Sequence, residues 1–205
     1  MDDDAAKRLV RASYNQISHA YRGDAVATGT NYSAWIDDLA ARLSDGDPVL
    51  DLGCGNGIPA SQVLSERFEV TGVDISDVQV ERARRLVPRA TFHRADMTQL
   101  DFPPATFAAV VSLFALIHVP VSQQPRLIER IGGWLRPGGQ LLVTVGHTAW
   151  TGTEDNWHGA RMYWSQADAA TYAQWLDAAG FAIVTRRFIP EGRTGHELIV
   201  AIRAR

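Results

Sequence analysis

Residues 49–59 read VLDLGCGNGIP, with Gly53, Gly55 and Gly57 inside five positions at the end of an apolar run. Glycine weakens the interior of a strand or helix. It is placed where the backbone must take positive φ, or where something must approach the backbone closely. The run before the glycines has the length and composition of a buried strand. Pro59 follows, at a position that the first turn of a helix tolerates. The stretch therefore predicts strand, tight loop, helix, with the loop open to a ligand.

The same grammar continues downstream. FEVTGVD (68–74) predicts a second strand, and Ser76-x-x-Gln79 is a capping-box pattern opening a helix that ends before Pro88. ATFHRAD (90–96) predicts a third strand. FAAVVSLFA (107–115) is continuously apolar, as strands buried on both faces are. Leu127, Ile128, Ile131, Trp134 and Leu135 lie on one helical face, and RPGG then turns into QLLVTVG (140–146). Strand and helix alternate from 48 to 146, which predicts a parallel sheet covered by helices. Upstream, Val10, Tyr14, Ile17 and Tyr21 share one helical face, and Tyr32 to Leu43 repeats the spacing. Downstream, residues 147–164 show no clean period. A helix is expected from Ser165 to a stop at Gly180, and FAIVTRRFI and HELIVAIRA close the chain as a hairpin. The expected organisation is one domain over 1–205: N-terminal helices as a cap (1–46), a ligand-binding core (47–146), a substrate-side insertion (147–164), and a closing helix and hairpin (165–205).

The whole chain narrows the function. It has 205 residues and a net charge of −3, so no global basic field holds a polyanion. Arg82, Arg84, Arg85, Arg89 and Arg94 form a local basic stretch, read as the solvated face of a helix and its exit, with a phosphate-contacting patch as the rival. Cys54 is the only cysteine, which excludes an internal disulfide. The start, MDDDAAKRLV, is acidic and then amphipathic, unlike a signal peptide, and no apolar run approaches the ~18 residues of a membrane span. A cytoplasmic protein without membrane or nucleic-acid partners is expected.

In an open α/β sheet ligands bind beyond the carboxyl ends of the strands. Asp74 ends the second strand, placed to accept both hydroxyls of a ribose, and Asp96 ends the third. The loop spacing is G-x-G-x-G rather than the dinucleotide G-x-G-x-x-G, and Asp51 precedes it. A carboxylate there repels a pyrophosphate and attracts a cation. An NAD-dependent oxidoreductase is therefore disfavoured.

VLDLGCGNG, VTGVDIS, RADM and FAAVVSLFALIHV, in that order and spacing, resemble the class I S-adenosylmethionine-dependent methyltransferases over roughly residues 10–203. The resemblance implies a doubly wound, seven-stranded, mostly parallel sheet of order 3-2-1-4-5-7-6, strand 7 antiparallel, under an N-terminal helical cap. It implies S-adenosylmethionine as cofactor, S-adenosylhomocysteine as product, and no metal. Asp51, Gly53, Gly55 and Gly57 then face the methionine part. Asp74 and Ile75 meet the ribose, Asp96 and Met97 frame the adenine, and Ser112 to Phe114 run along the methionine side. Tyr14 and Tyr21, on the N-terminal helix, are placed near the cofactor carboxylate, and His118 on a wall of the site.

The place after the fourth strand reads SLFA, not the N/D-P-P-Y-like run of amino-nitrogen methylases of adenine or glutamine. Cytosine-C5 chemistry needs a cysteine nucleophile elsewhere than in the glycine loop. What remains is a small-molecule acceptor, with oxygen, as hydroxyl or carboxyl, expected before the nitrogen of a small amine. A non-catalytic cofactor-binding or regulatory subunit is the alternative of another class. The aromatic segment 147–164 supplies the acceptor-side residues. His147, directly after the fifth strand, is the expected base or acceptor-orienting group, with His158 and Tyr163 next.

Overall fold

The computed structural model describes residues 1–25, 32–192 and 194–204. The apolar run before the glycines forms β1 (Pro48–Leu52), in which Val49, Leu50 and Leu52 are fully buried. After a loop and a single turn of helix, α3 (Ala60–Leu64), the chain enters β2 (Glu69–Asp74), α4 (Asp77–Leu86) and β3 (Thr91–Arg94). It continues through β4 (Phe107–Ser112), α5 (Gln124–Trp134) and β5 (Leu135–Gly146). Two helices precede the sheet, α1 (Asp3–Tyr21) and α2 (Tyr32–Ala40). After β5 come β6 (Trp150–Trp157), β7 (Ala160–Gln166), α6 (Ala169–Ala178), β8 (Phe181–Glu191) and β9 (Thr194–Arg203).

The seven-stranded sheet has the order β3-β2-β1-β4-β5-β9-β8, and β9 runs antiparallel to both neighbours. This is the expected order once β6 and β7, which stand outside this sheet, are set aside. Each face buries its own core. Leu50, Val110, Leu141 and Ile199 pack under α5 and α6, while Val49, Ala109, Leu142 and Leu198 pack under α2 and α3. Alternate residues of each strand face opposite sides, so both halves of the apolar runs are used. Among the described residues no helix is long and apolar enough to cross a membrane.

Three expectations are corrected. Residues 147–164 are not irregular: β6 and β7 form a separate two-stranded antiparallel sheet, with Trp157 opposite Ala160. His158 (φ 50°) and Gly159 (φ 94°) make the turn, and positive φ at both central residues is the tight-hairpin geometry. The final helix does not start at Ser165. β7 runs through Gln166, and Asp168 caps α6 by accepting from the Thr171 N–H at 2.8 Å. The arginine stretch is a solvated face at Arg84, Arg85, Arg89 and Arg94, which are exposed, but not at Arg82. Arg82 is buried and donates to Ser18 and to the carbonyl of Arg22, and Arg84 donates to the carbonyl of Phe92. Arg82 thereby fixes the end of α1 against α4.

Candidate functional site

The carboxyl ends of β1, β2 and β4 open into a cleft of about 950 Å³, counting the part open to solvent, roofed by α1. Its floor is the glycine loop, whose N–H groups turn inward. Gly53 and Cys54 donate to the carbonyl of Val73 at 2.7 and 3.1 Å, and Gly57 to that of Cys54 at 2.9 Å. Gly55 donates to Asp74 Oδ2 at 2.9 Å. The other oxygen of Asp74 accepts from the Ser76 N–H at 2.8 Å. That bond takes the place of the reciprocal half of the capping box, so Ser76 caps α4 while the side chain of Gln79 turns to accept from Ser18 at 2.8 Å. Burial raises the Asp74 carboxyl, and the N–H groups of Ser76, Gly55 and Ile75 oppose the rise.

Asp51 is almost fully buried and accepts from Ser61 Oγ at 2.6 Å. Burial pushes its carboxyl up to about 6; Ser61 opposes this and the charge of Asp74 adds to it. A folded value above the unfolded one means that the native state holds the proton more tightly. The contribution to stability is full below about pH 4 and is lost as pH rises to about 6. Asp51→Asn is therefore expected to gain, relative to wild type, on the order of 2–3 kcal/mol between pH 4 and pH 7. Denaturant melts at the two pH values check this. A constant difference would show that Asp51 ionises in the folded chain as it does in water. Burial and the Asp51 and Asp74 charges also hold the Cys54 thiol well above its usual range, so it stays protonated and inert.

Asp96 closes one end of the cleft. Its Oδ1 accepts from the N–H and hydroxyl of Thr98 at 2.9 and 2.8 Å, and its Oδ2 pairs with Lys7 Nζ at 2.8 Å. Burial works against the Lys7 charge, but Asp96 and Asp4 outweigh it and raise the ammonium. At the other end the Arg22 guanidinium lies over the rings of Tyr21 and Tyr32, 5.5 and 5.3 Å from their centroids. Asn56, in the glycine loop, donates to the carbonyl of Gly23 at 2.9 Å, which seats the loop beside this arginine.

Between the ends stands His118. Its Nδ1 is 2.8 Å from the carbonyl of Tyr163, which only accepts, so Nδ1 carries the proton. Nε2 then accepts from the Tyr14 hydroxyl at 2.9 Å. Burial lowers His118 to about 4, although the Tyr163 bond opposes the fall, and burial holds the Tyr14 phenol well above its ordinary value. The pair is neutral and its protons are fixed. The β6–β7 hairpin clamps it: Trp157 lies edge-on to Tyr14 at 5.7 Å, and Gln16 of α1 donates to the carbonyl of Gly159 at 3.0 Å.

Of the residues expected to bind, Tyr14, Tyr21, Asp51, Gly53, Gly55, Asp74, Ile75, Asp96, Met97, Phe114 and His118 line the cleft. Gly57 and Ser112 do not. A Cβ on Gly57 (φ 82°) would lie 3.0 Å from Val87 and 3.3 Å from Phe92, so this glycine lets loop and α4 pack. Ser112 is fully buried and donates to the carbonyl of Leu52 at 3.0 Å, tying β4 to β1. The three acceptor-side residues also lie off the cleft wall. His147 is exposed, with Nδ1 on Glu197 at 2.7 Å and Arg186 on the other oxygen of that carboxylate at 3.1 Å. His158 is an exposed turn residue against Trp157, and Tyr163 packs its ring under α1 and offers only its carbonyl. Lys7, Arg22, Tyr32 and Asn56 are cleft residues that the sequence reading missed. Lys7 had a signal: it stands seven positions before Tyr14 and fourteen before Tyr21, on the same helical face. Arg22 had none, because its place depends on Arg82. Among the described residues no three His, Cys, Asp or Glu side chains form a metal-holding group.

Residues 49–139 match the family described as "Methyltransferase domain". Over 137 residues the chain is 36% identical to 27-O-demethylrifamycin SV methyltransferase of Amycolatopsis mediterranei, covering 62% of this chain and 50% of that one. Over 136 residues it is 31% identical to the sterol 24-C-methyltransferase of Candida albicans, covering 62% and 35%. The chain thus spans half the length of the first of these relatives and about a third of the second. The crystal structure of magnesium protoporphyrin IX methyltransferase from Synechocystis PCC 6803 with bound SAM superposes with a TM-score of 0.76 at 21% identity, over 100% of this chain and 98% of that one. The sheet order and the matched segment agree: residues 49–139 carry the pattern of a methyltransferase domain, on a chain that has the fold of the S-adenosylmethionine-binding methyltransferase it superposes with.

Proposed function

We propose that this protein transfers a methyl group from S-adenosylmethionine to a small-molecule acceptor, with an oxygen, hydroxyl or carboxyl, as the receiving atom. The observation that carries the cofactor is the state of the loop. The N–H groups of Gly53, Cys54, Gly55 and Gly57 are bonded inside the protein, so they do not offer the cradle a pyrophosphate needs. The cleft instead presents Asp51, Asp74 and Asp96, which suit hydroxyls, amino groups and positive charge. Among the described residues a Cβ at Gly55 would meet no atom within 4 Å, which leaves room for a ligand against the backbone.

S-adenosylmethionine fits these residues. Asp74 would take the ribose hydroxyls, Asp96 and Met97 the adenine, Asp51 the ammonium, and the Arg22 fork the carboxylate. When bound, the cofactor supplies an electrophilic methyl on a positively charged sulfur that is already a good leaving group. The protein is left with positioning and drying. The Tyr14–His118 pair, held neutral under the hairpin, brings no charge against the cleft and fixes the roof. The binding of anionic nucleic acid has no support from the site, since none of Arg82, Arg84, Arg85, Arg89 and Arg94 lines the cleft.

Calorimetry tests the reading. S-adenosylhomocysteine is expected to bind and NADH not to; tight NADH binding with no heat from S-adenosylhomocysteine would overturn it. Arg22→Met is expected to weaken S-adenosylhomocysteine at least tenfold, about 1.4 kcal/mol. The same change should leave 5′-methylthioadenosine, which lacks the amino-acid part, unaffected. Equal losses for both ligands would remove Arg22 from the carboxylate and make it a general support of the cleft.

A further inference from the structure

The roof of the cleft carries a tyrosine whose one proton is already committed. Tyr14, on α1, and His118, after β4, both line the cleft. The carbonyl of Tyr163, 2.8 Å from His118 Nδ1, only accepts, so the proton sits on Nδ1 and the lone pair on Nε2. The Tyr14 hydroxyl donates to that lone pair at 2.9 Å. A phenol has a single O–H. With it turned to His118, the Tyr14 oxygen offers the cleft only lone-pair density. The imidazole cannot easily turn away, because the Trp164 ring lies against it at 4.4 Å, with Trp157 beyond at 6.3 Å.

An oxygen in this state selects its partner. It accepts from an O–H or N–H and repels the lone pairs of a carboxylate. The groups that act on the phenol locate it. After burial, these are Tyr21 and Asp74, which oppose its ionisation, and Arg22, which favours it. All three line the cleft, Asp74 at the place assigned to the ribose and Arg22 at the place assigned to the carboxylate. Tyr14 therefore stands over the stretch between those two groups. In the proposed complex that stretch holds the sulfur and its methyl.

We propose that the Tyr14 oxygen, backed by His118, receives the hydrogen of the methyl acceptor, and that the acceptor enters as an un-ionised hydroxyl rather than a carboxylate. This rests on the methyl-transfer reading above and narrows its receiving atom. It also leaves the cofactor carboxylate to Arg22 alone, since Tyr14 has no hydrogen to give it. Tyr14 touches the reacting group; His118 acts through Tyr14 and is a positioning residue. Holding the acceptor O–H on Tyr14 Oη leaves an oxygen lone pair to aim at the methyl carbon. As the oxygen–carbon bond forms, the electron pair of the broken carbon–sulfur bond stays on sulfur. The acceptor oxygen becomes oxonium-like and its proton strongly acidic. That proton passes to Tyr14 Oη while the Tyr14 proton passes to His118 Nε2. The imidazole takes up the positive charge that leaves sulfur, and a neutral thioether and a neutral methyl ether remain. Burial lowers His118 to about 4, so it accepts only from so acidic a group, and it returns the proton through Tyr14 to water once the products leave.

Long-range ¹H–¹⁵N spectra of the histidine rings, and binding of phenol against benzoate, test this on the full chain with S-adenosylhomocysteine bound. His118 is expected to show a protonated Nδ1 and an Nε2 at its hydrogen-bonded position. Phenol should bind at least tenfold tighter than benzoate. His118→Phe frees the Tyr14 proton to turn into the cleft, and should cut that preference at least fivefold. Tyr14→Phe removes the oxygen and should cut it as much, with less than a threefold change in S-adenosylhomocysteine affinity. Loss of packing alone would weaken phenol and benzoate alike and leave the preference in place. The tautomer and the wild-type preference need no variant, so an unstable variant does not suspend the test. A proton on Nε2, no binding of phenol, benzoate bound as tightly as phenol, or a preference that both variants retain overturns the proposal and leaves the cofactor reading standing. A tenfold loss of S-adenosylhomocysteine in Tyr14→Phe also overturns it, by returning Tyr14 to the cofactor. Failure of S-adenosylhomocysteine to bind the wild-type chain overturns both.

Discussion

Replacing Asp74 with alanine is expected to weaken S-adenosylhomocysteine at least a hundredfold, the largest loss at any side chain of the cleft. The carboxylate has two sets of work. It holds the loop from below, through the N–H groups of Gly55 and Ser76 at 2.9 and 2.8 Å. In the proposed complex it also accepts from the ribose. Hydrogen bonds to a charged group are worth about 1.5–3 kcal/mol each, and two of them at the low end already amount to a hundredfold. Alanine also leaves two buried N–H groups without an acceptor, each costing about 1–3 kcal/mol, so the unliganded variant should melt several degrees lower. Asp74→Asn separates the two effects. It keeps the shape and one accepting oxygen, so its melting point should stay nearer wild type while affinity still falls at least tenfold. Calorimetry and thermal melts on both variants decide. If Asp74→Ala binds S-adenosylhomocysteine as wild type does, the ribose is held elsewhere and the cofactor assignment loses its anchor.

The parts of the fold that were legible are those where one local rule and the global packing agree. Continuous apolar strands announce burial on both faces, and glycines or an acid at each carboxyl end mark the edge where ligands bind. The β6–β7 hairpin was not legible because neither face of β6 is buried: its residues are exposed or half-buried, so no alternation was selected along it. The only cue was the dipeptide His158-Gly159, weaker than Asn-Gly because histidine enters positive φ less readily. Within the arginine stretch, Arg82 alone departed from the solvated face, and for a different reason. Helical spacing reports which residues share a face, not which neighbour covers it, and α1 covers Arg82. The same long-range contact places Arg22, which is why Arg22 was invisible. On the acceptor side, His147 was chosen from its place after a strand. Position along the chain does not say which face a side chain takes, and His147 turns to Glu197, off the cleft wall.

Gly53 and Gly55 look alike in the sequence, and the structure assigns them opposite failures. Both need positive φ, 75° and 55°. A Cβ on Gly53 would fall 2.1 Å from the Cβ of Ala115, inside the packed wall where the β4 loop crosses β1. No rotamer relieves that overlap, because both atoms are fixed to backbone. Overpacking costs typically about 1–3 kcal/mol, and the left-handed conformation adds about 1–2 kcal/mol for a residue with a Cβ. Gly53→Ala should therefore lower the melting point of the unliganded protein by about 5–20 °C, at about 2–4 °C per kcal/mol for a chain of this size. A Cβ on Gly55 meets nothing within 4 Å among the described residues and enters the cleft itself. Gly55→Ala carries only the backbone strain, a loss of a few degrees, and the added methyl occupies the space assigned to the methionine part of the cofactor. Its affinity for S-adenosylhomocysteine should fall at least a hundredfold in a folded protein. Melting curves without ligand and calorimetry with it form the test, run on both variants together. A Gly53→Ala protein that melts like wild type would mean that the β4 loop yields, and that the wall at Ala115 is soft. A Gly55→Ala protein that binds like wild type would mean that no ligand approaches this loop, and would move the proposed cofactor away from the glycines.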